Sequence, residues 1–502
     1  MQVIGIIVSL MAGGLLAMAL GPKSAQASRL AALAGLAVAT ILFFPLLMLA
    51  ISETGSGTGA GAVWLSQISI EWIPRFGIRL LFAVDGIAVI LIGLTLLLGY
   101  ISLLSAWSEI TKRCGFFYFC LLFTLAGVVG VFSALDLFLF FVFWEVMLIP
   151  MFLIITVWGH ENRYYAALKF FIYTQASSLL MLLSMLVLVH MHWQQSGTIS
   201  FSWFDLLETD TSGRLGFWLM LGFFVAFVVK LPGIPVHNWL PDAHTQAPTP
   251  GSILLAGILL KTGAYGLLRF IFPLFPEAAL EFTPIAMTLG VISVLYAAKL
   301  AFAQNDIKRL IAYASISHMG FVTLGIFAWN AISLQGTLVQ IVAHGLSSAG
   351  LFAIAGLIQQ RTHTRALDEL GGLWPQVPRL SALMMFFAIA ALGLPGLGNF
   401  VGEFMILLGT FQTSPIAAVV AALGMVLAPV YALIIMQKAF FGTPSADAKS
   451  TSVDLVPHEI FMLAILVVGL IILGFWPGLL TNLSEPGMLD LMRNGLPAGQ
   501  GG

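Results

Sequence analysis

Long apolar runs separated by short polar segments repeat along almost the whole chain, with little strict alternation of apolar and polar residues. A helix of about twenty such residues, rising about 1.5 Å per residue, crosses a bilayer core of roughly 30 Å. The pattern predicts about fourteen transmembrane helices, near 2–20, 30–52, 80–105, 115–133, 136–158, 168–192, 216–235, 250–272, 283–304, 309–328, 335–359, 378–412, 416–438 and 456–477. Strands are not expected, because a membrane barrel would show short alternating segments instead. The expected fold class is therefore an all-α integral membrane protein. The first run lacks a basic leading region and is followed by further spans, so it reads as a transmembrane helix and not as a signal peptide.

Two segments interrupt this pattern in a similar way. Lys230-Leu-Pro-Gly-Ile-Pro235 falls in the seventh run and Gly393-Leu-Pro-Gly-Leu-Gly398 in the twelfth. Proline removes a helix hydrogen bond and glycine weakens the helix, so both runs should break there. Freed backbone groups inside a membrane must be satisfied by protein or water, and paired broken helices in two halves of a chain point to an ion pathway. A kink used only for packing is the alternative, but each break adjoins an ionisable residue, Lys230 or Glu403.

Composition agrees with the membrane reading: 60% of the 502 residues are hydrophobic and 9% charged, too few charges for a soluble surface. The net charge of -1 gives no reason to expect a nucleic-acid partner, while lipids are expected all round. Two cysteines, Cys114 and Cys120, with no CxxC or Cys/His cluster, argue against an iron–sulfur or zinc site in this chain. Lys23, Arg29, Lys112, Arg113, Arg163 and Lys169 gather on one predicted side, with Lys308, Arg309, Arg361, Arg365, Arg379, Lys438 and Lys449. The other side holds Arg75, Arg79, Arg214, Arg269 and Arg493, so both termini are expected outside the cytoplasm. The Gly/Ser/Thr-rich, then Trp-containing stretch from Ser52 to Arg79 reads as an extracytoplasmic connection with interfacial anchors.

Function is then sought in the few charges within spans, since each costs at least ~2.5 kcal/mol on insertion scales. Glu145 lies about nine residues into its run, roughly 14 Å deep. Lys230 follows an apolar stretch and immediately precedes the first break, Lys261 follows Ser252-Ile-Leu-Leu-Ala-Gly-Ile-Leu-Leu260, and Glu403 follows the second break. Burial disfavours the charged form of such groups and an opposite charge favours it, so they can exchange protons near neutral pH. A static ion pair that fixes helix registry is the alternative for Glu145 with Lys230. His318 and His344 lie in spans among small polar neighbours and serve either packing or proton transfer. His237, Asp242 and His244, in the proline-rich polar stretch from Pro235 to Pro250, either guide protons from the cytoplasm or cap a helix and set a turn. His160, His190, His192, His363 and His458 read as solvated, Asp85 and Asp136 as helix N-terminal caps, and Lys299 as snorkelling.

The stretches Phe143-Trp-Glu-Val-Met-Leu-Ile-Pro150, Val236-His-Asn-Trp-Leu-Pro-Asp-Ala-His-Thr-Gln-Ala-Pro248, Asn305-Asp-Ile-Lys-Arg-Leu-Ile-Ala-Tyr-Ala-Ser-Ile-Ser-His-Met-Gly320 and Gly396-Leu-Gly-Asn-Phe-Val-Gly-Glu-Phe-Met405 resemble the antiporter-like subunits of respiratory complex I, NADH:quinone oxidoreductase. The resemblance covers nearly all the chain beyond about residue 70. It implies a proton-translocating membrane-arm subunit with two inverted five-helix repeats, at 111–275 and 276–440, preceded by a three-helix segment, 1–110, and followed by a C-terminal helix and tail, 441–502. By the same resemblance Glu145 and Lys230 form the first-half pair, Lys261 is central, His318 and His344 link the halves, and Glu403 is terminal. An acid at that last position separates the chain from the NuoL and NuoN types and from the Mrp antiporters. The resemblance further implies no cofactor in this chain, with FMN, iron–sulfur clusters and quinone in partner subunits. It implies NuoL-like and NuoN-like neighbours in a bacterial cytoplasmic membrane. An Mrp-type cation/proton antiporter or a membrane-bound hydrogenase subunit is the alternative.

Overall fold

The computed structural model describes residues 1–55, 64–441 and 453–495. The 56–63 part of the Gly/Ser/Thr-rich stretch, Lys449 and the last residues of the tail lie outside the described residues. Among the described residues, thirteen helices are long and apolar enough to cross a membrane. The twelfth span is two shorter helices, Pro378–Ala391 and Gly398–Thr413, joined across the predicted break, which completes the expected fourteen. Gly393 and Gly396 in that joint have φ of +78° and +97°, a backbone region that a side chain disfavours, which explains glycine there. The seventh span, Gly213–Lys230, ends at Lys230 itself, and a separate short helix, Trp239–Gln246, follows the other break.

The expectation that no strand occurs is corrected. Ser66–Ile73 (β1) and Ile78–Val84 (β2) pair antiparallel, with Ser66 opposite Val84. Ile68, Ile70 and Trp72 do alternate with polar residues, but over too few positions to stand out beside the helical runs. Trp72 is exposed as an anchor would be, whereas Trp64 points inward against Arg269. The tail expected after span fourteen (Pro457–Phe475) contains a further helix, Gly478–Asn494, packed on the interior beside Asp85.

Burial is uneven, and it sorts the spans by role. The apolar windows of span eight (Thr249–Leu274), span ten (Ile307–Phe327) and span eleven (Ala331–Thr362) are 100% buried, against 39% for span one (Gln2–Leu20). The enclosed spans are those that carry Lys261, His318 and His344. Because lipid is as apolar as a leucine side chain, close helix contact in a membrane depends on small residues at the crossing. At Gly402 an added Cβ would lie 2.6 Å from the Gln340 backbone nitrogen, so this glycine lets span twelve seat Glu403 beside span eleven. Gly402→Ala is expected to destabilise the chain by about 1–3 kcal/mol through overpacking. Gly478→Ala, where the nearest atom is 3.8 Å away, should change little. Thermal unfolding of the two purified variants against native protein checks both.

Candidate proton-transfer site

Lys261 sits between two π-helical turns of span eight, Leu255–Leu259 and Leu267–Ile271. A π turn leaves backbone carbonyls out of the regular ladder. Lys261 donates to the Ala256 carbonyl, and its Nζ lies 2.7 Å from Nδ1 of His344 on span eleven. The His344 and His318 rings are 5.5 Å apart between centroids. Nδ1 of His318 lies 2.6 Å from Oε1 of Glu403, and its Nε2 lies 3.1 Å from the Tyr431 hydroxyl. The Gln340 amide donates to the same Glu403 oxygen at 2.8 Å. Lys261, His344, His318 and Glu403 thus form one buried row from the centre of the bundle to the second break.

The first-half residues are arranged differently. Glu145 lies at the point where span five divides into Leu137–Val146 and Leu148–Trp158, and its Oε1 accepts from Ser178 at 2.6 Å. Lys230 is buried with its Nζ 5.1 Å from the Trp144 ring centroid and 5.9 Å from that of Phe170, and it makes no hydrogen bond among the described residues. Aromatic faces favour a cation electrostatically while leaving its N–H groups unsatisfied. Among the described residues no hydrogen bond or ion pair joins Glu145 to Lys230, although the two lie within electrostatic reach of each other.

The polar stretch after the first break is split between several environments. Asp242 bridges Lys169 at 2.6 Å and Arg309 at 3.1 Å, tying the short helix to spans six (Arg163–Ser196) and ten. His237 faces Tyr296 and Tyr313, and burial holds its imidazole below the ordinary histidine range. His244 is fully enclosed and stacked on Phe352, with centroids 4.3 Å apart and planes 11° from parallel.

Several residues were placed differently by the sequence. Arg269, assigned to an outer loop end, is 1% exposed and joined to Asp85 at 2.5 Å. Asp85 is more than a cap: it accepts from the Ala88 backbone at 2.9 Å and also carries this buried ion pair. Lys308, assigned to a cytoplasmic loop end, is fully buried. His192, read as solvated, is buried with its Nδ1 2.9 Å from the Thr209 hydroxyl. Asp136 does cap its helix, accepting from Leu139 at 3.0 Å and from the Arg79 backbone at 2.9 Å, and burial pushes its carboxyl up to about 6. Lys299 is exposed at the end of span nine (Pro276–Phe302), consistent with snorkelling. Gln340 and Tyr431 were not singled out, although Gln340 stands one helical turn before His344, a spacing that shares a helix face.

A bundle of fourteen spans holding a row of titratable side chains in its enclosed helices defines the class: a membrane-embedded ion-translocating protein. Residues 134–428 match the family described as NADH:quinone oxidoreductase/Mrp antiporter, TM, and the chain belongs to that family. It is 52% identical over 420 residues, 82% of each chain, to the NADH-quinone oxidoreductase subunit M of Escherichia coli (strain K12). It is 51% identical over 436 residues to the subunit M of Pseudomonas aeruginosa, covering 86% of this chain and 85% of that one. A chain in the structure titled respiratory complex I from Thermus thermophilus with bound NADH is 32% identical, with a TM-score of 0.84, covering 98% of this chain and 100% of that one.

Proposed function

We propose that the chain carries protons within the bilayer along Glu145, Lys230, Lys261, His344, His318 and Glu403, as the M-type membrane-arm subunit of an NADH:quinone oxidoreductase. The observation that carries this reading is the buried row itself, with Lys261 2.7 Å from His344 and His318 2.6 Å from Glu403. An ammonium can pass a proton to an imidazole and an imidazolium to a carboxylate, with one proton moved and no bond to carbon altered at each step. Each imidazole has a second nitrogen through which the proton can leave, which suits His344 and His318 to the middle of the row. A membrane potential of 100 mV acts on one such charge with about 2.3 kcal/mol, enough to bias its position.

Electron transfer would then take place in partner subunits holding FMN, iron–sulfur clusters and quinone, with NuoL-like and NuoN-like chains as the flanking neighbours. The excess of basic residues on one side supports a cytoplasmic face there, with both termini outside, in a bacterial inner membrane. The two halves, 111–275 and 276–440, are proposed as repeats, since each contains a span broken at Leu-Pro-Gly beside an ionisable residue. Purification in mild detergent tests the assignment: the chain is expected to co-purify with NADH-oxidising activity. Sodium-dependent transport by the isolated chain in proteoliposomes, without such partners, would favour the antiporter reading instead.

A further inference from the structure

A cavity of about 660 Å³ opens between the end of span three (Gly86–Glu109) and the connection from span five to span six. Its lining includes Glu109, Trp158 and His160 together with Lys112, Arg113 and Arg163, basic residues that mark the side assigned as cytoplasmic. The Glu109 carboxylate accepts from the Thr249 backbone nitrogen at 3.0 Å, at the start of span eight, and from the Gln360 amide at 3.3 Å. It therefore touches both the cavity and the helix that carries Lys261.

Behind it lies Lys308, fully buried, whose Nζ donates to the Ala247 carbonyl at 3.1 Å and lies within electrostatic reach of Glu109. Ala247 ends the short helix that carries His244. Neither ring nitrogen of His244 has a hydrogen-bond partner among the described residues, and the ring lies within electrostatic reach of both Lys308 and Lys261. A buried imidazole with both nitrogens unpaired is costly for a purely structural residue and requires an explanation.

We infer that Glu109, Lys308 and His244 form the proton inlet that feeds Lys261 from this cavity. The inlet rests on the proton-carrying function proposed above and adds three groups, Glu109, Lys308 and His244, to it. A proton from cavity water binds the Glu109 carboxylate and passes to the neutral amine of Lys308, restoring the carboxylate. Lys308 gives it to one nitrogen of His244, and the other nitrogen releases a proton to the neutral amine of Lys261, so Glu109 and Lys308 return to their starting forms and His244 is left as its other tautomer, which a ring flip resets for the next proton. His160 shares the cavity, but it is the Glu109 carboxylate that is hydrogen-bonded to the start of the helix carrying Lys261, which makes Glu109 the collecting group.

Three substitutions in the intact complex, reconstituted in proteoliposomes, test the inlet by NADH-driven proton uptake. Lys308→Arg keeps a permanent positive charge and can still donate to Ala247 but does not release a proton. Glu109→Gln keeps an acceptor oxygen for Thr249, and His244→Phe keeps an aromatic ring on Phe352. Each is expected to lower uptake by at least about tenfold in assembled complex. Native uptake in Lys308→Arg, where Lys308→Met loses it, would make Lys308 a structural cation and overturn the inlet. Native uptake in Glu109→Gln or His244→Phe would overturn it as well, and these two serve if the Lys308 variants do not assemble. Lys261→Met measured in parallel separates the two levels. Loss there with native uptake in the inlet variants rejects the inlet alone, whereas native uptake in Lys261→Met rejects the proposed function.

Discussion

Replacing Lys261 by methionine is expected to leave the complex assembled while cutting NADH-driven proton uptake to below about a hundredth of native. Methionine keeps an unbranched stem of similar length and fills the same enclosed space, so the fold loses little packing. What it removes is the group that joins the Ala256 carbonyl to His344 and supplies the proton to the row. Lys261→Arg sharpens the result: a guanidinium stays charged throughout, so it should also fail to pump even though the charge is kept. Proton uptake by proteoliposomes, set against the amount of assembled complex on native gels, measures both.

Arg269→Met is expected to destabilise the chain by about 3–5 kcal/mol, because it leaves Asp85 as an uncompensated charge in the interior. The pair holds three elements together. Asp85 starts span three, Arg269 lies in the second π turn of span eight, and an added Cβ at Gly487 would lie 2.7 Å from Asp85 Oδ2. The double variant Asp85→Leu with Arg269→Met removes both charges and should recover much of that loss, though the cap on Ala88 goes with Asp85. Thermal unfolding of the single and double variants measures the difference. Equal losses in both would show that the ion pair is not what secures these helices.

The spans were legible because a membrane imposes its thickness on the sequence, and the two breaks because Leu-Pro-Gly is incompatible with a continuous helix. Lys230, Lys261 and Glu403 were legible as candidates because a charge within an apolar run has a cost that is visible without any structure. Their partners were not. The 2.7 Å approach of Lys261 to His344 depends on how span eight packs against span eleven, and hydrophobic periodicity specifies which face is buried without specifying the neighbour. Arg269 and Lys308 show the same limit from another direction. Both stand near span ends, where a basic side chain ordinarily reaches water, and only the helices packed around them reveal that they are enclosed. The β1–β2 hairpin escaped notice because each strand is shorter than a helical run and borders long apolar segments.

Glu145 gives the most direct test, because its Oε1 accepts from the Ser178 hydroxyl and a glutamine can keep that contact. Glu145→Gln keeps the shape and an acceptor oxygen for Ser178 and removes only the capacity to hold and release a proton. Protons taken up per NADH oxidised by proteoliposomes containing the assembled Glu145→Gln complex should fall clearly below the native ratio. A native ratio at native turnover would contradict a proton-carrying role for the buried residues of this chain.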